Sequence, residues 1–531
     1  MSPRSDLLSR RGFVGQSLAA VAASGFGPQL VARAAQSDRS PQDGPIAIGS
    51  RRELFVDDFL VDRLSGKAEM RLHHPEPKEV VLAHDAPWEG SGSGYHSIFQ
   101  DGPLYRMYYK AWQLDVAPGK VGTAGHPLYC CYAESEDGIH WRKPELGLFE
   151  FRGSKANNIV IASGKWGALE VDGGHPAVFK DSNPGAAADA RYKAFVRCPK
   201  PNGLLPFKSA DGLHWSPMSD GPVITAGAFD SQNLAFWDPA LGAYRAYWRI
   251  FTTISKGRSI RAIRTATSKD FLHWDEQADL TYVDSPPEEL YTNQIKPYDR
   301  APHLLIGFPT RYTDRGWSPS MKALPEAVNR NNRAGASTRY GTAVTDALLM
   351  ASRDGVKFRR WNESFLRPGI ERDGTWNYGH QYIAWHLVET KSSLDAAPGE
   401  LSLYATESYW TGTSSVLRRY TLRVDGFVSL NAPMSGGELV TKPLTFEGNR
   451  LRLNLATSAA GSLRVELQDQ GGQPLPGFTT ADCDEVFGDA LDREVSWNGN
   501  PDVSSLANQP IRLRISLRDA DLYALRFGPA T

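Results

Sequence analysis

One turn motif recurs along this chain and sets the period of its fold. The stretch Ser135–Trp141 reads SEDGIHW, and its Asp-Gly pair predicts a tight turn, because Gly accepts positive φ angles and Asp hydrogen-bonds nearby backbone. A single copy would predict one hairpin. Copies spaced roughly 60 to 85 residues apart predict a repeated β-unit. The further copies are SADGLHW at Ser209, TSKDFLHW around Asp270, ASRDGVKF around Asp354 and a degenerate LRVDGFVSL around Asp425.

The segments that precede these turns share one internal order. Each has an inner strand, an aromatic-rich second strand and a third strand that ends in the turn. The inner strands are YHSIFQDG, HPAVFKDS, QNLAFWDP, NQIKPYDR and HQYIAWHL. Five such four-stranded units predict a five-bladed β-propeller. An array of β-sandwiches is the alternative, but the constant order and the glycines Gly94, Gly174 and Gly379 beside the inner strands favour strands crowded around an axis.

The two ends of the chain differ from the repeated region. Ser9–Gly15 reads SRRGFVG and precedes a short apolar stretch and an A-x-A site, a pattern that resembles a twin-arginine export signal. Near the other end, LRLNLATS and IRLRISLR alternate like strands of a sandwich. We therefore expect an all-β fold with a signal peptide at 1–35, a linker at 36–48, a five-bladed β-propeller at 49–432 and a C-terminal β-sandwich at 433–531. Leu54–Asp62, LFVDDFLVD, is expected to add a strand to the last blade.

Composition narrows the classes of partner. The net charge of −1 gives no electrostatic footprint for nucleic acid, and no basic run predicts binding to a membrane surface. Aromatic residues make up 11% of the chain, which suits a β-rich carbohydrate binder as well as an ordinary β core. The four cysteines do not form a disulfide framework, and no metal-binding motif is present. The sequence predicts a carbohydrate partner and no cofactor. A single structural cation in the central channel, held by His380, is an open alternative.

Propeller topology predicts where chemistry would lie. The inner strands begin, and the second strands end, at the mouth of the central channel, so residues in those places converge. Among the residues brought there by the inner strands are Glu89, Tyr95, His96, Glu170, Asp172, His175, Asp230, Gln232, Asn233, Glu288, Glu289, Asn293, Gln294, Asp373 and His380. The second strands bring Lys110, Trp112, Arg197, Arg249 and Glu407.

Two carboxyl groups at such a mouth are what glycoside hydrolysis requires, one as acid and one as base or nucleophile. Neighbouring carboxylates push their pKa values apart, which separates the two roles. We expect the catalytic residues among Asp172, Asp230, Glu289 and Glu407. The Asp of each repeated turn is expected to be structural, because it recurs in the outer part of each blade.

A second set of residues is expected to bind substrate. This set is His175, Arg197, Asn233, Arg249, His380 and Trp112. For the histidines a structural hydrogen bond to a neighbouring blade is an equal alternative. The two arginines either pair with the carboxylates or bind an anionic group such as a uronate, sulfate or phosphate.

Several stretches resemble exported bacterial proteins described as glycosyl hydrolase family 32 N-terminal-like. The resemblance is carried by LFVDDFLVD, SEDGIHWRKPELGL, HPAVFKD and TKPLTFEGNRLRLN and spans nearly the whole mature chain. It implies a propeller like those of glycoside hydrolase families 32, 43 and 68. The family 32 catalytic motifs differ here: GYHSIF replaces N-D-P-N-G, His175 aligns with the Asp of R-D-P, and Asp230 lies near the Glu of E-C.

The sequence therefore predicts an exported glycoside hydrolase, periplasmic or secreted, with a carboxylate-lined pocket at the propeller axis. Two alternatives remain. A glycoside phosphorylase would use Arg197, Arg249 and His175 to bind phosphate, and a non-catalytic propeller would only bind carbohydrate. The linkage, the sugar and the stereochemical outcome are not predicted.

Overall fold

The computed structural model describes residues 44–123 and 125–530. The predicted signal peptide and residues 36–43 of the predicted linker lie outside this part of the chain. Within it the architecture is almost entirely β, as predicted, and is dominated by a five-bladed β-propeller. None of its helices is long and apolar enough to cross a membrane.

Five sheets, the blades, follow one another along the chain. Blade 1 contains Gly94–Asp101, Leu104–Ala111, Tyr129–Ser135 and Ile159–Ala162. Blade 2 contains Gly164–Trp166, Leu169–Lys180, Tyr192–Cys198, Gly203–Ser209 and Ser216–Pro217. Blade 3 contains Leu234–Asp238, Ala243–Ser255, Arg258–Ser268 and Asp275–Asp279. Blade 4 contains Thr281–Val283, Lys296–Tyr298, Ala301–Gly307, Met350–Ser352 and Lys357–Arg360. Blade 5 contains Glu76–Ala83, Val388–Thr390, Glu400–Glu407 and Val416–Leu422.

The last blade is closed by a strand other than the predicted one. Glu76–Ala83 pairs with Val416–Leu422 and joins the start of the propeller to its end. The prediction for Leu54–Asp62 was wrong, because Glu53–Leu54 pairs with the strand Ile511–Gly528 instead. The apolar side chain of Phe55 is buried in a core that residues of the strand Ile511–Gly528 also line, and this contact holds the segment beside that strand.

The C-terminal region forms one ten-stranded sheet that also recruits the first strands of the described chain. Its strands are Ile46–Gly49, Glu53–Leu54, Val61–Gly66, Glu69–Leu72, Val428–Ala432, Gly437–Thr441, Leu444–Phe446, Arg450–Asp469, Asp489–Glu494 and Ile511–Gly528. The two longest strands pair with each other, and their register shifts between Thr457 and Ser462. Leu453 and Val465, on either side of this irregularity, are buried in the same core, so the sheet folds over itself like a sandwich.

Residues 46–72 thus pair with the C-terminal strands and not with a blade, although the sequence assigned 49–72 to the propeller. The two parts also pack together. Val428 and Ala524 of the ten-stranded sheet share an apolar core with Leu403 of blade 5.

The repeated turn joins neighbouring blades. In the four copies at Asp137, Asp211, Asp270 and Asp354 the Asp accepts hydrogen bonds from backbone amides of its own turn; for Asp137 the donors are Ile139 and His140, both at 2.8 Å. The carbonyl oxygen of the next residue then accepts a bond from a tyrosine of the preceding blade. These bonds are Tyr404 to Gly138 at 2.6 Å, Tyr108 to Gly212 at 3.0 Å and Tyr247 to Gly355 at 2.8 Å. In blade 3 the turn residue Phe271 stacks on Phe195 of blade 2 instead.

Two glutamines tie the inner strands together at the axis. The amide nitrogen of Gln232 donates to the carbonyl oxygens of Tyr95 and Pro176, at 3.0 and 3.1 Å. The amide nitrogen of Gln294 donates to the side-chain oxygen of Gln232 at 2.8 Å and to the carbonyl of Ile383 at 2.7 Å. Both glutamines are buried. Blades 1 to 5 are therefore linked below the mouth by one polar network.

Two insertions extend from the blades. Between the paired strands Thr310–Asp314 and Ala343–Ala347 lie three short helices, α1 (Pro319–Ala323), α2 (Ala327–Ala336) and α3 (Thr338–Thr342). From blade 1 extends the hairpin Leu114–Ala117 and Lys120–Thr123, and α2 packs against it. Short 3-10 helices occur at Ala188–Ala190 and Ser504–Leu506. All four cysteines are buried and free.

Candidate active site at the mouth of the propeller

A histidine at the start of blade 2 links two aspartates at the mouth. His175 Nδ1 lies 2.9 Å from Asp172 Oδ2, and His175 Nε2 lies 3.0 Å from Asp230 Oδ1. Asp172 and His175 are buried, whereas the side chain of Asp230 is 63% exposed. The arrangement therefore presents one carboxylate to solvent and keeps the other behind the imidazole.

Two glycines allow blade 2 to hold this geometry. A Cβ atom on Gly173 would lie 2.7 Å from the carbonyl oxygen of Ile161, and one on Gly174 would lie 2.2 Å from the side chain of Leu128. Only glycine permits so close an approach to blade 1. The amide of Gly174 also donates to Asp172 Oδ1 at 2.8 Å, which fixes the carboxylate behind His175.

Asp230 lies in the loop before the inner strand of blade 3, and Asn233 braces that loop. The Asn233 amide nitrogen donates to the carbonyl oxygens of Phe229 and Ser231, at 3.0 and 2.8 Å. Its side-chain oxygen accepts from the backbone amide of Arg249 at 3.2 Å. Asn233 is buried and fully engaged by backbone. The structure therefore places it as a support for Asp230, and not as the substrate-contacting residue that the sequence predicted.

The charges of this set stabilise its ionised form. Burial would lower the pKa of His175, but the charge and hydrogen bonds of Asp172 and Asp230 outweigh burial and raise it. Burial would likewise raise the pKa of Asp172, which His175 and Arg197 instead lower. For Asp230, desolvation within the mouth would raise the pKa, but the hydrogen bond and charge of His175, with the charges of Arg249 and Arg197, lower it. Asp230 is thus an anion throughout the ordinary pH range.

The two predicted arginines flank the aspartates. Arg197 lies opposite Asp172 on the neighbouring strand, and its Nη1 donates to Asp172 Oδ2 at 3.2 Å. Arg249 Nη2 lies 3.8 Å from Asp230 Oδ2, and its Nε donates to the carbonyl oxygen of Ala228 at 2.9 Å. The interpretation that these arginines pair with the carboxylates matches their contacts.

Beside Asp230 the mouth is lined by aromatic rings that surround a lysine. Lys110 Nζ donates to the hydroxyl of Tyr409 at 2.8 Å and lies 4.5 Å from the centre of the Tyr95 ring. Trp112, predicted as a substrate contact, has its ring 5.2 Å from the same nitrogen. The sequence placed Lys110 and Tyr95 at the mouth but did not select either as a site residue.

The rim adds further rings on the solvent side. Phe251 lies in the second half of the strand Ala243–Ser255 of blade 3 and is 53% exposed. The guanidinium of Arg249 lies 5.7 Å from its ring. On the helical insertion, Tyr340 of α3 contacts Trp410 edge-to-face at 5.2 Å. Flat rings around a carboxylate are suited to stacking against sugar rings.

The other two predicted catalytic carboxylates are each paired with two arginines. Glu289 accepts bonds from Arg261 and from Arg339 Nη2, the latter at 2.5 Å. Glu407 accepts from Arg372 at 2.6 Å and from Arg418 Nε at 2.8 Å. In the described part of the chain neither forms a hydrogen bond or ion pair with the aspartates of the mouth. Glu407 instead lines a separate cavity of about 620 Å³ between blades 4 and 5.

His380 is also placed away from the aspartates. Its Nδ1 accepts from the backbone amide of Trp376 at 2.9 Å, and burial lowers its pKa to about 4. It is a neutral, fully buried residue of blade 5. Residues 44–123 and 125–530 bring no three His, Cys, Asp or Glu side chains together as a metal site. The channel cation stays a prediction.

Comparisons with known proteins add resemblance of structure alone. No protein-family model matches this chain, and no curated protein matches it. Membership of family 32, which the sequence resemblance implied, therefore stays a prediction.

Three solved structures illustrate the level of likeness. A structure from the GH130 family of mannoside phosphorylases, described as containing glycoside hydrolases that target beta-1,2 mannosidic linkages in Candida mannan, has 14% identity and a TM-score of 0.38, covering 65% of this protein and 94% of that one. A family 117 glycoside hydrolase from the marine bacterium Zobellia galactanivorans has 10% identity and a TM-score of 0.36, covering 67% and 90%. The endo-arabinase from Bacteroides thetaiotaomicron has 10% identity and a TM-score of 0.37, covering 65% and 98%.

Proposed function

We propose that this protein is a glycoside hydrolase that cleaves an oligo- or polysaccharide at the mouth of its propeller. The observation that carries the proposal is the state of Asp230, an exposed carboxylate held ionised by His175 and Arg249 among aromatic rings. A fixed, ionised carboxylate beside aromatic rings is suited to act as the base that glycoside hydrolysis needs.

In this proposal Asp230 removes a proton from water as the water oxygen attacks the anomeric carbon. Asp172 acts through His175, holding the imidazolium in position so that its Nε2–H donates to Asp230. The two carboxylate oxygens bonded to His175 lie on either side of its imidazole ring, 2.9 Å from Nδ1 and 3.0 Å from Nε2. Asp172 does not supply the partner acid, because it is buried and ionised. The acid must come from another group.

The phosphorylase alternative is less favoured by the contacts. It requires His175, Arg197 and Arg249 to bind phosphate, yet each of them is already engaged by Asp172 or Asp230. A phosphate at that place would lie against two carboxylates and be repelled by them. A propeller that only binds carbohydrate is distinguished from a hydrolase by measuring turnover.

The test is a screen of the purified protein against furanoside, pyranoside and uronate oligosaccharides, with and without phosphate. We expect release of reducing sugar that does not depend on phosphate. Asp230→Asn should lose at least about 10²-fold in kcat/KM, as expected for a missing base, and retain binding. Asp115→Asn, which changes an exposed carboxylate on the blade 1 hairpin, is the matched control. Binding without turnover on every substrate would leave only the carbohydrate-binding alternative.

Export through the twin-arginine route is part of the same proposal. It is supported by Arg10-Arg11 with Phe13 before a short apolar stretch. Replacing both arginines with lysine should retain the protein in the cytoplasm of a bacterial host. Unchanged delivery to the periplasm would remove this part of the proposal without affecting the chemistry.

A further inference from the structure

In the part of the chain that the structure describes, Lys110 is a buried cation that pairs with no carboxylate. It is only 3% exposed and lies near the end of the strand Leu104–Ala111 of blade 1. Its ammonium group donates to the hydroxyl of Tyr409 and lies against three rings, with centres 4.5 Å away for Tyr95, 5.0 Å for Tyr409 and 5.2 Å for Trp112. Among residues 44–123 and 125–530 it forms no ion pair.

This environment is unlike that of another lysine buried in the same propeller. Lys193 is equally inaccessible, at 3% exposure, but it forms an ion pair with Asp181 and also donates to the carbonyl oxygen of Ala190 at 3.0 Å. A buried charge without such a partner is unfavourable. The charge of Lys110 is instead stabilised by one hydroxyl group and three aromatic rings.

The same burial changes its proton affinity. Desolvation lowers the pKa of Lys110 to about 7, although the negative charges of Asp230 and Asp172 act in the opposite direction. A lysine with such a pKa holds a proton near neutral pH and can also release it, which is the property of a general acid.

Tyr95 brings Lys110 into the neighbourhood of the aspartates. Lys110 Nζ lies 4.5 Å from the centre of the Tyr95 ring. The centre of the His175 ring lies 5.6 Å from the centre of the same Tyr95 ring. Lys110 and the base Asp230 therefore belong to one cluster around Tyr95 and His175, in which the negative charge of Asp230 acts on Lys110.

We propose that Lys110 is the general acid of the hydrolysis, an inference that rests on the proposed function. Its Nζ–H gives a proton to the glycosidic oxygen as the bond from that oxygen to the anomeric carbon breaks. The attacking water forms the new bond to the anomeric carbon and loses its proton to Asp230. The products are an alcohol and a reducing sugar, and solvent exchange returns Lys110 and Asp230 to their starting states.

The experiment compares two leaving groups on the same sugar. An oligosaccharide that the enzyme cleaves needs protonation of its leaving oxygen, whereas the 2,4-dinitrophenyl glycoside of that sugar does not. Lys110→Met and Lys110→Arg should both lose at least about 10²-fold in kcat/KM on the oligosaccharide and stay within about tenfold of wild type on the activated glycoside. Arginine keeps the charge but does not release its proton.

Two further variants make the outcome decisive. Asp230→Asn should lose activity on both substrates, so failure of the proposed function is separate from failure of this inference. Lys120→Met, at an exposed position of the adjacent hairpin, should match wild type. Equal losses on the two substrates for Lys110→Met, with the folded state verified by circular dichroism, would overturn the assignment, as would full activity of Lys110→Arg on the oligosaccharide.

Discussion

His175 donates to Asp230 from Nε2 at 3.0 Å, while its other nitrogen is held by the buried Asp172. His175, a residue of the neighbouring blade, thus helps to fix the position of the exposed carboxylate and, with Arg249 and Arg197, lowers its pKa. Asp230 lies in a loop before blade 3, and this bond is what holds it to the start of blade 2.

Removing that bond should change the acidic side of the activity profile. In the wild type the pKa of Asp230 is lowered, so the base stays ionised and kcat/KM should be flat down to about pH 4. His175→Ala removes the hydrogen bond and the charge, and the pKa of Asp230 rises. We expect kcat/KM to fall as pH drops below about 5, and kcat at pH 7 to fall about tenfold through lost positioning. His175→Gln, which retains a donor, should recover part of the rate. An unchanged acidic limb in both variants would contradict the link between these two residues.

The alkaline side of the profile should report Lys110. Because its pKa is lowered to about 7, the acid is protonated below that pH and kcat/KM on an oligosaccharide should fall as pH rises through about 7. The dinitrophenyl glycoside should show no such limb. A limb near pH 10 instead would indicate an ordinary lysine.

The lowered pKa of Lys110 should also make the free energy of unfolding increase as pH rises, whereas kcat/KM decreases. The native state releases the Lys110 proton near pH 7, but the unfolded chain keeps it to about pH 10.4. Stability attributable to this group therefore rises with pH between those values. Lys110→Met should be more stable than wild type below pH 7, by several degrees in Tm, and the difference should shrink towards pH 10. Thermal unfolding at pH 6 and pH 9 measures this, and a variant less stable than wild type at both values would contradict it.

Glu407 should prove structural. It is 2% exposed and holds Arg372 and Arg418, which line the cavity between blades 4 and 5. Glu407→Gln removes the charge that fixes both guanidinium groups, at a cost of about 1–3 kcal/mol. We expect a lower Tm with kcat within about threefold of wild type once the protein is folded. A loss of 10²-fold in kcat at unchanged Tm would restore Glu407 to the catalytic set.

Sequence reasoning located the mouth because propeller topology fixes which strand ends converge. The repeated turn supplied the period, and counting back from it led to Asp172, His175 and Asp230, which the structure brings together. The same reasoning placed Glu289 and Glu407 at the mouth as well. Arg339 of α3, a partner of Glu289, and Arg372, a partner of Glu407, come from segments outside the blade strands, and a strand pattern does not predict such pairs.

Two other features, the closing strand Glu76–Ala83 and the role of Lys110, could not be predicted from the sequence pattern, each for a different physical reason. Glu76–Ala83 reads EPKEVVLA and is largely exposed, so it lacks the alternation that predicts a strand, whereas the more apolar Leu54–Asp62 carries more of that signal. For Lys110 the deciding property is the absence of a paired carboxylate together with three enclosing rings. Both are properties of packing, and no local sequence signal carries them.

The helical insertion should govern substrate binding without entering the chemistry. Tyr340 of α3 is half-buried against Trp410 and Tyr378, with ring centres 5.2 and 6.2 Å away. Burial raises the pKa of its hydroxyl, and the charge of Asp230 adds to this effect, so Tyr340 lies near the mouth. Tyr340→Ala should raise KM about tenfold, equivalent to about 1.4 kcal/mol of lost binding, and leave kcat within about threefold. Tyr340→Phe keeps the ring and should retain the wild-type KM. Steady-state kinetics on the oligosaccharide separates the two parameters; a fall in kcat with unchanged KM in Tyr340→Ala would instead make the insertion part of the reacting constellation, since a group that contributes only binding affects the ground state and transition state alike.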